Sequence, residues 1–190
     1  MSKLTKIIDN LKYYVVDSTA LLTETFPVFA AWEVGVVGMS NDVSINAKMV
    51  ATGLVFGGSG WAMGKGRDLW RRSFNIVDST KEKVQAAHDF LYQVAFNSVF
   101  LPPFYYASGE RDLETLAIAS GTGVAVAATN GLALGPFMDM YRDLTGLKEC
   151  ERSIYPRFIK NQSPITKKAI ATGLVAGSVG LMGLIYSQNT

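Results

Sequence analysis

The chain has 190 residues, 48% hydrophobic and 18% charged, with a formal net charge of +2. Its single cysteine, Cys150, excludes an internal disulfide framework and reads as a plain free thiol. These averages fit soluble and membrane chains alike, so the placement of the charges has to decide the class.

Five windows are nearly clear of charge, at about 13–37, 46–66, 86–107, 113–138 and 169–186. Each is long enough, or nearly so, to cross a bilayer core at about 1.5 Å per residue. Threaded through these spans from a cytoplasmic N-terminus, the 18 Lys and Arg all fall inside except Lys48 and Arg111. That is the positive-inside pattern. It predicts an all-α, polytopic protein of the cytoplasmic membrane, N-terminus inside and C-terminus outside. It also accounts for the basic residues without nucleic acid. The N-terminal apolar run is too long and too acidic for a cleavable signal and reads as a signal-anchor.

Span one carries Asp17, Glu24 and Glu33 among Val, Leu, Phe, Ala and Trp. Carboxylates are costly in lipid and mark a pathway or relay. Asp17 and Glu24 share a face, whereas Glu33 lies about 160° round from Asp17 on a straight helix. Pro27 between them alters that angle. The bland alternative is a set of structural ion pairs, with Asp17 held by Arg67 or Arg142 and Glu33 by Lys48.

Span two repeats glycine at Gly53, Gly57, Gly60 and Gly64, a small-residue face for close packing within the chain. Gly57-Gly58-Ser59-Gly60 is no P-loop, because no GK[ST] follows. Trp61 and Trp70 suit an inner aromatic belt. Span three contains His88, Asp89, Asn97, Ser98 and Pro102-Pro103, with Tyr105 and Tyr106 at the outer belt. Lone His88 reads as solvated or hydrogen-bonded rather than as a metal ligand. Span four ends in Gly131-x-x-x-Gly135, a second close-contact face.

Asp68 with Arg71, and Asp139 with Arg142, lie three apart on one helix turn. They are either solvated interfacial charges or inner gate corners that change partners. Spans one–two and three–four read as two parallel copies of one hairpin. Asp17 and Asp89 are 72 residues apart, and the Arg-Asp-Leu corners at 67–69 and 142–144 are 75 apart. A site between related halves is a transporter construction. The domain boundaries are 1–145 for the four-helix unit, 146–168 for a basic inner linker and 169–190 for a fifth helix and tail.

These motifs together resemble the bacterial L-alanine exporter family over about residues 15–145. The match runs through Asp17 with its neighbouring hydroxyls, Glu33 followed by Gly38-Met39-Ser40, and Lys48 where the family has arginine. It continues through Gly64, Arg67, Asp68 and Leu69, then Asp89, Phe96 and Ser98, with Asn97 in place of glutamine. Gly131, Gly135, Phe137, Asp139 and Arg142 match the end of the fourth helix. Span two lacks the family's prolines, Glu24 has no carboxylate counterpart, and the linker and span five lie outside the match.

The resemblance implies export of L-alanine or a similar small amino acid, driven by the proton gradient, and a homodimer or higher homo-oligomer through the fourth helix. Asp17, Glu33, Glu24 and Asp89 are candidates for proton coupling, and the resemblance favours Asp17 and Glu33 over Glu24. Lys48, Arg67, Asp68, Asp139 and Arg142 are candidate gate pairs. Asn97, Ser98, Ser18 and Thr19 are candidate substrate contacts. Gly53, Gly57, Gly64, Gly131 and Gly135 are packing positions. No cofactor or metal is expected. An enzyme is disfavoured by the lack of a two-His zinc pair, a nucleophile elbow and a redox cysteine pair. The alternative is a structural or assembly membrane protein with glycine-faced helices and no transport activity; it should tolerate Asp17→Asn or Glu33→Gln.

Overall fold

Helix α1 spans Lys3–Gly35 and carries Pro27 inside it. The computed structural model describes residues 3–36, 40–77, 79–107 and 113–188, without the side chains of residues 3–6, 43, 105, 114–116, 118 and 119. Gly38, Met39, Arg111 and the Tyr105 side chain therefore lie outside the described residues. The second rod is broken: α2 (Asn41–Leu54) leads through a π turn (Val55–Ser59) into α3 (Gly60–Ser73). Gly58 has φ 130°, a conformation that glycine adopts at no steric penalty. The expected continuous span two is thus two half-helices.

Helix α4 (Glu82–Ala107) and helix α5 (Leu113–Leu144) form the second hairpin. Gly146, at φ 78°, ends α5. The Leu147 amide donates to Arg142 O at 2.8 Å and the Gly146 amide to Asp143 O at 3.0 Å, a Schellman stop. A short turn, α6 (Arg157–Lys160), follows. Helix α7 (Pro164–Ser187) starts earlier than the expected residue 169. Ser163 caps it, accepting from the Thr166 amide at 3.2 Å, and Pro164 has the φ that a first helical residue needs. All described secondary structure is helical.

Each hairpin packs internally, α1 on the α2–α3 rod and α4 on α5. Across the hairpins, α1 meets α5 and α3 meets α4, a reciprocal arrangement. Helix α7 covers α1 and α5. Its C-terminal end reaches the start of α2, where Asn41 Nδ2 donates to Tyr186 O at 2.9 Å. At its other end Lys167 pairs with Asp143 at 2.7 Å. Helices α1 and α7 therefore run parallel. Met63, Tyr92, Leu134 and Met138 form the buried centre, tied by Tyr92 OH donating to Met63 O at 2.8 Å.

The glycines divide at the break. Gly53 and Gly57 are exposed, with nothing within 4 Å of an added Cβ, so they are not the packing positions expected of them. Gly60 and Gly64 do pack, against Ser18 and Asp17 of α1. Gly131 and Gly135 pack in the same way on Gln93 and Asp89 of α4, so they are occupied within the chain rather than by a second copy. The repeat register also changes. Gly60, Gly64, Asp68 and Arg71 recur as Gly131, Gly135, Asp139 and Arg142, an offset of 71 residues. The Arg-Asp-Leu corners are not equivalent in space: Asp68 accepts from Arg142, whereas Asp143 accepts from Lys167 and Tyr155. One described helix, Pro164–Ser187, is long and apolar enough to cross a membrane.

Candidate functional site

Two arginines organise the end of the bundle where α3 and α5 finish. Arg142 Nε and Nη2 donate to the two oxygens of Asp17, each at 2.7 Å, and its Nη1 donates to Asp68 at 3.1 Å. Arg71 repeats this with the hairpins exchanged. Its Nε and Nη2 donate to the two oxygens of Asp89 at 3.2 and 2.9 Å, and its Nη1 to Asp139 at 3.1 Å. Each planar fork matches a carboxylate edge, the geometry that makes arginine the cation of choice for buried pairs.

Glycine makes room for these carboxylates. A Cβ on Gly64 would collide with Asp17 Oδ2, and one on Gly135 would collide with Asp89 Oδ2. The bare backbone lets a carboxyl group lie between two helices that almost touch. Arg67 adds a bond to Asp139 and another to Gly135 O at 2.8 Å. Arg152 enters from the linker. It donates to Asp89 at 2.6 Å and to Gln85 at 2.9 Å, and its Nε lies 3.3 Å from Asp139. Burying so much charge is tolerable only because positive and negative groups balance and bond. Nearby in the linker, burial pushes the Cys150 thiol up from its usual range. Burial, then the bond to Asp143, does the same to the Tyr155 phenol.

Next to this ionic core lies a cavity between α1, the α2–π rod, α4 and α5, of about 820 Å³ with its open mouth included. Met63 and Leu134 line the end that adjoins the core. Phe26 and Phe29 of α1 face it from one side. From α4 come Phe96, Phe100 and Phe104, stacked at centroid distances of 5.6 and 5.9 Å. The polar lining is sparse. Lys48 and Glu33 form an ion pair, and Ser44 Oγ donates to the same carboxylate. Tyr186 OH of α7 lies 3.1 Å from that serine oxygen. Asn97 Nδ2 donates to Gln93 Oε1 at 2.8 Å, and Asn130 Nδ2 to Glu24 at 2.7 Å. The Ser59 hydroxyl, at the π turn, is buried with no hydrogen-bond partner among the described residues.

The expected site residues thus separate into groups. Asp17, Asp89, Asp68, Asp139, Arg67 and Arg142 meet in the ionic core. Glu33, Lys48 and Asn97 line the cavity, and Glu24 stands beside it through Asn130. Three expected substrate contacts do not reach it. Ser18 is packed on Gly60. Thr19 and Ser98 donate to the carbonyls four residues back, Val15 O and Val94 O, and Ser98 is exposed. His88 leans on Phe74 with a ring distance of 5.0 Å, and its Nδ1 is buried without a hydrogen-bond partner among the described residues. Trp70 is packed on Tyr92 and Phe74.

Gln93, Asn97 and Asn130 were readable as polar residues in apolar windows. Arg152 and Gln85 carry no such signal, because charged and polar residues are ordinary in a linker and at a helix start. Tyr186 lies outside the resemblance altogether. Among the described residues, no group of three or more His, Cys, Asp and Glu could hold a metal ion. No family model matches the chain, and no curated protein or solved structure matches it either.

Proposed function

We propose that this chain is a multi-pass transporter of the cytoplasmic membrane that exports L-alanine or a similar small amino acid in exchange for protons, as the resemblance implies. The observation that carries the transport reading is the cavity between two repeated hairpins, closed at one end by the Arg–Asp core. Carriers built from related halves hold solute between them and rock one half against the other. The forked pairs suit that motion because they join the halves. Asp17 is on α1 and Arg142 on α5; Arg71 is on α3 and Asp89 on α4. Breaking both pairs would open the inner side, and re-forming them would close it.

The membrane reading rests on an inverted surface. Val99 (77% exposed) and Leu184 (61%) face outward, whereas Arg142 and Asp17 are at most 1% exposed. In water the reverse distribution is the rule; in lipid, charged groups face the bundle interior and pair with one another. The basic linker meets the core end of the bundle, and the end of α7 meets the other, which fits an inside N-terminus and an outside C-terminus.

Coupling follows from which carboxylate can accept a proton cheaply. Protonating Asp17 or Glu33 would strand the cation bound to it. Glu24 accepts from the neutral amide of Asn130 and strands nothing. Proton loading therefore goes to Glu24, gating to Asp17 and Asp89, and solute contact to Glu33 with Lys48. The test is flux into proteoliposomes under an imposed pH gradient, with a panel of labelled amino acids. Gradient-driven accumulation of one or more supports the reading. A correctly folded protein that moves none of them is the scaffold alternative.

A further inference from the structure

We infer that the cavity selects its solute by a bulky apolar side chain, so that the cargo is an aliphatic or aromatic amino acid larger than alanine; this rests on the transport reading above and departs from it in the size of the solute. The wall is the reason. Phe96, Phe100 and Phe104 form one stacked ladder along α4, with Phe26 and Phe29 opposite on α1. Five rings around one space make an apolar slot. A methyl side chain would leave most of that slot without a partner.

The polar groups are placed for the other end of such a solute. Glu33 and Lys48 stand side by side on neighbouring helices, one anion and one cation. An α-amino acid carries the complementary pair on one carbon. Its ammonium can replace Lys48 at Glu33 while its carboxylate takes Lys48, so neither charge is left unpaired.

The test is equilibrium binding of labelled L-alanine, L-leucine and L-phenylalanine to the purified full chain in lipid nanodiscs, with counterflow of the same three in proteoliposomes. Each buried methylene strengthens binding roughly fourfold, so L-leucine, with three more than L-alanine, is expected to bind about 60-fold tighter. Phe100→Ala is expected to cut the leucine-to-alanine ratio by roughly tenfold. Phe100→Leu, which keeps the wall apolar, should retain most of it. A ratio is read because it does not depend on the fraction of folded protein. Equal affinities for the three solutes, or an unchanged ratio in Phe100→Ala, would overturn the assignment. Counterflow of L-alanine alone would also overturn it while leaving the carrier standing. If the folded protein neither binds nor moves any amino acid, both readings fall.

Discussion

Arg71 and Arg142 stand 71 residues apart and make the same set of bonds with the hairpins exchanged. Each forks onto an aspartate near the start of the other hairpin and places Nη1 on an aspartate at the end of that hairpin. The symmetry is broken by Arg152, which reaches Asp89 and Asp139.

That asymmetry orders two mutants. Arg142→Gln leaves Asp17 fully buried with no other described cation in salt-bridge range. Breaking a buried pair in this way costs about 3–5 kcal/mol. Arg71→Gln should cost less, because Asp89 keeps Arg152. Chemical unfolding in detergent micelles measures both. Equal losses would remove Arg152 from the account, and additivity of Arg71→Gln with Arg152→Gln would argue against a shared carboxylate.

The glycines should split into two classes. Gly64→Ala and Gly135→Ala push a methyl into Asp17 and Asp89 and should disrupt the core. Gly53→Ala meets open space inside α2 and should stabilise by about 0.5–1 kcal/mol, since alanine loses less backbone freedom than glycine. Thermal unfolding decides this; a Gly64→Ala protein as stable as its parent would contradict the close approach of α1 and α3.

Glu24→Gln removes the proposed proton carrier while keeping a partner for Asn130. Gradient-driven flux should be lost and solute-for-solute exchange retained. Asp17→Asn, by contrast, should impair both modes, because it weakens the fork to Arg142. Accumulation by Glu24→Gln at the parental rate would move coupling elsewhere.

Thiol labelling tests the topology and the linker together. Cys150 is 2% exposed and its thiol is pushed up by burial, so little thiolate is present near neutral pH. The native chain should stay unlabelled until it is unfolded. On a Cys150→Ser background, a membrane-impermeant reagent added to intact cells should label Gln188→Cys and not Ser79→Cys. Both positions are exposed in the fold, so the membrane alone makes the difference.

Helix content was legible from the sequence because it is a local property. The charge-free windows, the proline positions and the small-residue spacing each act over a few turns, and the helices appear close to where these place them. The pairing of Glu33 with Lys48 and of Asp17 with Arg142 was within reach as one alternative, because opposite charges in apolar windows have few partners. Three-residue spacing, however, points Arg71 at Asp68 and Arg142 at Asp139, and only the second pair comes within range among the described residues, at 3.9 Å. The two-bond forks go to Asp89 and Asp17, on helices distant in sequence.

Only the packing of one hairpin on the other decided that exchange. A bidentate bond needs a carboxylate facing the guanidinium plane, and a neighbour on the same helix turn does not supply that direction. The same packing turned Gly131 and Gly135 toward α4 rather than toward a second copy. It brought Arg152 from the linker onto Asp89 and closed a phenylalanine-lined space that no single helix contains. The sequence alone established which groups had to be paired. The crossing of the helices chose the partners, because distance and orientation between helices are not local quantities.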